Sequence, residues 1–181
     1  VCTIVAGSTW PADEPRLVPA FARACGRAPY RMIAAPHEPD EDHLRGLERT
    51  LTQAGLSHAR LAEVEGGDGP LPEVVVVDRV GVLADLYAIA DVAYVGGGFH
   101  RYGLHSVVEP AALGVPALYG PRHGNAQEAG ALAWAGGGSV VRGEVELAEK
   151  LTVLARDPEI RGAAGRAALT FVEENLGGAA R

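Results

Sequence analysis

The stretch Val95-Gly96-Gly97-Gly98-Phe99-His100-Arg101-Tyr102-Gly103-Leu104-His105-Ser106-Val107-Val108-Glu109-Pro110 decides the fold. An apolar strand empties into a glycine-rich loop, and a helix is expected to start behind a polar residue. Gly96, Gly97 and Gly98 let the main chain approach a ligand without a Cβ in the way. Ser106 is expected to cap the helix, whose unpaired N–H groups and positive dipole end favour an anion. His105 and Glu109 are four residues apart. On that helix they would share a face, with a cation-capable group near the anion and a carboxylate suited to ribose hydroxyls one turn deeper. A glycine triplet after a strand also serves as a plain tight turn. The segment Ala111 to Pro121 then reads as helix end, short buried strand and a second loop at a strand's carboxyl end, where open parallel sheets bind ligands.

Working outward, apolar runs of strand length recur at Val1 to Ala6, Arg31 to Ala35, Val74 to Val77, Val92 to Val95, Val115 to Tyr119 and Ser139 to Val141. Helical patterns separate them: Asp13 to Cys25, Glu41 to Ala54, Leu83 to Ala88, Ser106 to Leu113, Ala126 to Ala135, Val145 to Ala155 and a terminal pair from Pro158 to Asn175. Continuous rather than alternating apolar strands, each beside a helix, indicate a parallel sheet covered on both faces. The class is α/β, doubly wound and Rossmann-like, with about six strands. Ser57 to Val64 reads as a further strand candidate, and Gly66 to Pro70 as a surface turn.

The 181 residues suit a single domain, 1-181, with a full core. Apolar content of 48% excludes disorder, and no apolar run approaches the roughly 20 residues of a membrane span. A formal net charge of −7 argues against a nucleic-acid surface, so an anionic ligand would have to be held locally. Cys2 and Cys25 have no CxxC or ligand spacing and read as packing residues, which fits a reducing cytoplasm. No cluster of His, Cys, Asp or Glu at metal-ligand spacing appears. The chain opens on Val1 inside a strand, as expected of a fragment of something longer.

Several segments, in order, resemble the carboxy-terminal half of the 3-deoxy-D-manno-octulosonic acid (Kdo) transferases, glycosyltransferases of the GT-B fold. They are Val5-Ala6-Gly7-Ser8-Thr9-Trp10, Ile33-Ala34-Ala35-Pro36-His37-Glu38, the passage from Gly81 to Phe99, Gly103 to Ala111, Gly114 to Pro121 and Asn125 to Ala129. The resemblance runs from about residue 3 to 175. Its Ala-Asp-strand-Gly-Gly and Gly-x-Pro elements are shared by many GT-B donor domains, whereas Gly-x-His-x-x-x-Glu is narrower. The family's usual Asn after the histidine is Ser106 here, which keeps the cap and shortens the reach.

The resemblance implies a donor half that binds Kdo activated as its cytidine monophosphate derivative (CMP-Kdo), with no bound metal. It also implies an amino-terminal domain, absent from this chain, that holds a lipid A-type acceptor, the catalytic base and any attachment to the cytoplasmic face of the inner membrane. This chain alone is expected to be inactive and to contain no catalytic base. Transfer would be a direct displacement at the anomeric carbon, with His105 and Arg101 stabilising the departing phosphate.

Ser8 and Thr9 end the first strand and can bond phosphate or sugar oxygens, or form an ST-turn or helix cap. His37 should face the crevice from the second strand. Arg79 follows the Val74 to Val77 strand and either meets the base or stays solvated or paired with a carboxylate. Arg101 has the geometry for a bidentate contact. Asn125 is expected to cap the next helix while contacting the donor, with Gln127 and Glu128 beside it, and Arg122 and His123 equally suit a plain surface. A uridine diphosphate sugar transferase or epimerase on the same fold, or a non-catalytic nucleotide-binding domain, are the competing readings.

Overall fold

The computed structural model describes residues 1–25 and 30–175. Strands and helices follow one another as β1 (Cys2–Thr9), α1 (Glu14–Cys25), β2 (Tyr30–Pro36), α2 (Glu41–Gln53), β3 (His58–Arg60), α3 (Leu61–Glu65), β4 (Val74–Val76) and α4 (Leu83–Ala88). They continue as β5 (Val92–Val95), α5 (Val108–Ala112), β6 (Ala117–Tyr119), α6 (Gln127–Trp134), β7 (Gly138–Val140), α7 (Glu144–Arg156) and α8 (Pro158–Asn175). One parallel sheet of seven strands results, in the order β3-β4-β2-β1-β5-β6-β7.

The sheet has one strand more than expected because β3 is an edge strand of three half-buried residues, without the apolar run that marks the others. The segment Ser57 to Val64 divides between it and α3. The expected terminal pair of helices is the single helix α8 of 18 residues. Gly165 does not break it; a Cβ there would overlap the Gly114 carbonyl, so the glycine lets α8 lie against that turn.

Alternate strand residues serve opposite faces. Ile4, Met32, Val74 and Val92 pack with Leu17 and Phe21 of α1, Leu47 and Leu51 of α2 and Leu147 of α7. Val5, Ile33, Val75 and Ala93 turn the other way, onto Tyr87 of α4. Val95, Ala117 and Tyr119 meet Ala111 of α5, Leu132 of α6 and Phe171 of α8. Cys2 is buried in the core, and burial, then the charge of Asp91, pushes its thiol up to about 11; the Cys25 side chain lies outside the described residues. Among the described residues no helix is long and apolar enough to cross a membrane.

From β1 the chain winds outward through β2 to β3 and β4, then returns to lay β5, β6 and β7 on the other side. That reversal separates the loops after β1 and β5 and opens a crevice at their carboxyl ends, the place where doubly wound sheets take ligands.

Candidate functional site

The end of β1 is irregular. Its register with β2 shifts between Gly7 and Thr9, and Ser8 sits at a positive φ of 52°, an uncommon conformation for a residue with a Cβ. The bulge delivers Trp10 to the crevice. Asp13, fully buried, fixes the loop that follows: Oδ2 accepts from the Trp10 and Gly97 backbone N–H groups, each at 2.9 Å, and Oδ1 from the Tyr94 hydroxyl at 2.9 Å. The loops after β1 and β5 are thus tied through one carboxyl group.

This tie changes the reading of the glycine run. The Gly96 amide is used on the Gly7 carbonyl (2.9 Å) and the Gly97 amide on Asp13, so neither points at a ligand. Gly96 lies so close to the backbone of Ser8 and Thr9 that a Cβ would overlap both, and Gly97 holds φ +94°. Gly98 packs on Gly120 and accepts from the Arg122 amide at 2.9 Å. The run brings two loops together; it does not form a bare amide cradle.

The helix behind it starts later than expected. Val107, not Ser106, occupies the N-cap of α5, and Ser106 is exposed with no capping bond. Pro110 explains the shift. With a cap at Ser106, the first intrahelical bond would need an N–H on residue 110, which proline lacks. The first bond is instead Ala111 N–H to Val107 C=O at 3.3 Å. His105 therefore precedes α5 and does not share a helical face with Glu109. Five residues also give α5 a small dipole. Glu109 is exposed in its first turn, and its charge adds to burial in raising the Tyr87 hydroxyl's pKa.

His105 is held from both sides: its amide donates to Gly96 C=O at 3.1 Å, and its ring Nε2 accepts from the Trp10 indole N–H at 2.9 Å. His37 lies against it with ring centroids 4.3 Å apart, and Trp10 stacks on His100 at 4.2 Å with planes 6° apart. Burial lowers the His105 pKa, the neighbouring His37 and His100 add to that, and Asp13 opposes it. The net direction is downward, which disfavours the cationic form of a group that the sequence marks as cation-capable.

The remaining candidates separate. Ser8 and His37 line a cleft of about 150 Å³ with Pro36, Arg79, Gly81 and Leu83. Thr9 is buried and donates to Glu14 at 3.3 Å, away from the crevice. Arg79 forms a two-point pair with Glu65 at 2.6 and 2.5 Å, both partners exposed at the surface. Arg101 is exposed, 2.7 Å from the Tyr102 hydroxyl and over its ring. Asn125 does not cap α6, where Ala126 takes that position; its amide clamps Leu104, accepting from the N–H at 3.0 Å and donating to the C=O at 2.9 Å. Gln127, Glu128 and Arg122 are exposed, and His123 lies edge-on to Tyr119.

Trp10, Asp13 and His100 were not singled out from the sequence. The cue for Trp10 was its place directly after a strand end in the crevice loops. A larger cavity of about 560 Å³, between α6 and α8, is lined by Trp134, Phe171 and Glu174 and by none of the candidates. Among the described residues no group of three or more His, Cys, Asp or Glu is arranged to hold a metal ion.

Comparison with known proteins follows the same lines. The chain is 30% identical over 153 residues to a 3-deoxy-D-manno-octulosonic acid transferase of Aquifex aeolicus, an alignment covering 83% of this chain and 41% of that protein. It is 33% identical over 132 residues to the transferase of Bordetella pertussis, covering 72% of this chain and 31% of that one. It therefore spans well under half the length of these curated relatives. Its fold matches the C-terminal CMP-Kdo binding domain of WaaA from Acinetobacter baumannii, with a TM-score of 0.82 and 20% identity over 95% of this chain and 89% of that one. No protein-family model matches.

Proposed function

Because this chain belongs to the 3-deoxy-D-manno-octulosonic acid transferase family, of whose curated members it spans less than half, we propose that it is the donor-binding half of a glycosyltransferase using CMP-Kdo. The observation that carries the reading is the convergence of His105, His37 and the Ser8 bulge at the crevice between β1 and β5. The cleft of about 150 Å³ beside Ser8 and His37 is a place for part of the nucleotide. Glu109 is assigned to ribose hydroxyls, with Arg101 and the ring of His105 assigned to the phosphate.

In the transfer, the acceptor hydroxyl oxygen bonds to the anomeric carbon while the bond from that carbon to the phosphate oxygen breaks. Cytidine monophosphate leaves with the bonding electrons, and the hydroxyl proton passes to a base contributed by another part of the protein. This half holds the donor and stabilises charge on the leaving phosphate. The acceptor, a lipid-linked sugar, and any membrane attachment belong to the remainder of the protein in this reading.

Calorimetric titration with cytidine monophosphate, uridine diphosphate and adenosine monophosphate tests it. Cytidine-selective binding in the micromolar to millimolar range, about 4 to 8 kcal/mol, is expected, weakened roughly tenfold by Glu109→Ala and by His105→Ala. Preference for uridine diphosphate would assign the domain to another sugar donor. Binding of none of the three would overturn the reading for the isolated chain.

A further inference from the structure

We infer that Trp10 is a positioning residue of this site: its indole N–H, donating to Nε2 of His105, holds that imidazole in the neutral form with the proton on Nδ1, so that Nδ1–H is the donor offered to a bound phosphate. The phosphate part of this inference rests on the function proposed above. The protonation part rests on the chain's own geometry.

An indole nitrogen donates and does not accept, so an N–H aimed at Nε2 over 2.9 Å requires a lone pair there. An imidazole whose Nε2 accepts can carry its proton only on Nδ1, and an imidazolium has no lone pair to offer. Nδ1 has no protein hydrogen-bond partner among the described residues and is not fully buried, so it is free to donate to a ligand. The indole cannot turn away easily. Its residue is tied to Asp13 at both backbone groups, at 2.9 Å through the amide and 2.8 Å through the carbonyl, and its ring lies on His100. The His105 amide, bound to Gly96 C=O, fixes the other partner.

The surroundings agree. His37 faces the ring from the end of β2, His100 from the loop after β5 and Asp13 from the start of α1. A cation at His105 would crowd two further imidazoles and lose the indole bond. A neutral ring keeps the indole bond and still offers Nδ1–H as a donor. Neither Glu109 nor Arg101 is hydrogen-bonded to either ring of the pair among the described residues.

Long-range proton–nitrogen correlation spectra of the chain labelled with 15N-histidine, recorded from pH 5 to 8, read the form directly. His105 is assigned by the signal lost in His105→Gln. The wild type is expected to show a neutral His105 with its proton on Nδ1 at pH 7. Trp10→Phe keeps an aromatic ring at this position and removes the indole N–H together with part of the ring. In that variant the tautomer ratio is expected to move roughly tenfold toward Nε2–H, the size of one net hydrogen bond, and the affinity for cytidine monophosphate to fall at pH 7.5.

An Nε2–H or cationic His105 in the wild type at pH 7 overturns the inference without any variant, so a Trp10→Phe chain that fails to fold does not protect it. An unchanged tautomer ratio in folded Trp10→Phe overturns it as well. Failure of the wild type to bind cytidine monophosphate would count against the proposed function, while the spectra would still decide the role of Trp10.

Discussion

Glu14 and His43 form an ion pair almost wholly withdrawn from water: Nε2 lies 2.6 Å from Oε1, and the side chains keep 5% and 8% of their exposure. The other ring nitrogen, Nδ1, lies 3.0 Å from the Glu38 carbonyl, so both nitrogens face acceptors, an arrangement that favours the protonated ring. The pair joins the first turn of α1 to the first turn of α2, beneath the β1 loop that carries Trp10.

Burial lowers the His43 pKa, but the hydrogen bond to Glu14 and its charge outweigh that, and the net shift is upward. A raised folded-state pKa contributes stability that is present in full below the unfolded value of about 6.5 and is lost as the pH climbs through the folded one. Thermal midpoints of wild type and His43→Gln are therefore expected to differ most below pH 6 and to converge toward pH 9. Below pH 6 the variant should be less stable by about 3 kcal/mol, since it leaves a buried carboxylate without its opposite charge. A gap that widens with pH would refute this account.

Asp13→Asn can still offer one oxygen to the Trp10 and Gly97 N–H groups by turning its N–H₂ to the Tyr94 hydroxyl, but it removes the carboxylate charge from both backbone bonds and takes the acceptor away from the Tyr94 O–H. A loss on the order of 2 to 4 kcal/mol is expected, read as a lower urea midpoint at unchanged slope, together with weaker nucleotide binding as the loops after β1 and β5 part.

Gly96→Ala and Gly124→Ala form a contrasting pair. At Gly96 the added methyl would meet the Ser8 and Thr9 backbone, whereas at Gly124 nothing lies within 4 Å. The first is expected to cost more than about 3 kcal/mol and the second less than about 0.5. Equal midpoints in a denaturation series would remove the case for a packing role of the glycine run.

Asn125→Ala releases both backbone groups of Leu104. Destabilisation of about 1 to 3 kcal/mol is expected, with faster hydrogen exchange at the Leu104 amide and a looser His105 next to it. Protection of that amide equal to wild type would show that the clamp is dispensable.

The sheet was legible because its strands are buried on two faces: runs such as Val74–Val76 and Val92–Val95 carry no polar alternation to confuse them with half-exposed strands. Edge strand β3, His-Ala-Arg, lacks that signature and shows itself only by pairing with β4. The crevice was legible from its glycines, since close backbone approach leaves a mark in the sequence. What those glycines approach was not. Gly96 and Gly97 fit equally a phosphate or another loop, and the carboxyl group that takes the Gly97 amide, Asp13, is 84 residues away in the chain. Asn125 was placed as a cap on its local pattern, but its partner Leu104 is 21 residues back. The start of α5 was recoverable in principle, because Pro110 forbids the bond that a cap at Ser106 requires.

The bond between Trp10 and His105 also bears on how the site comes into being. It spans 95 residues, so the ring that fixes His105 waits unpaired until most of the sheet has been synthesised. The Asn125 clamp on Leu104 closes later still. Contacts of such long sequence separation form slowly, because the chain entropy of closing large loops opposes them. During biosynthesis the crevice therefore cannot be complete before Asn125 has been added, and a ribosome-bound chain truncated before β5 would present Trp10 and the Ser8 bulge to the cell without the loop that completes them.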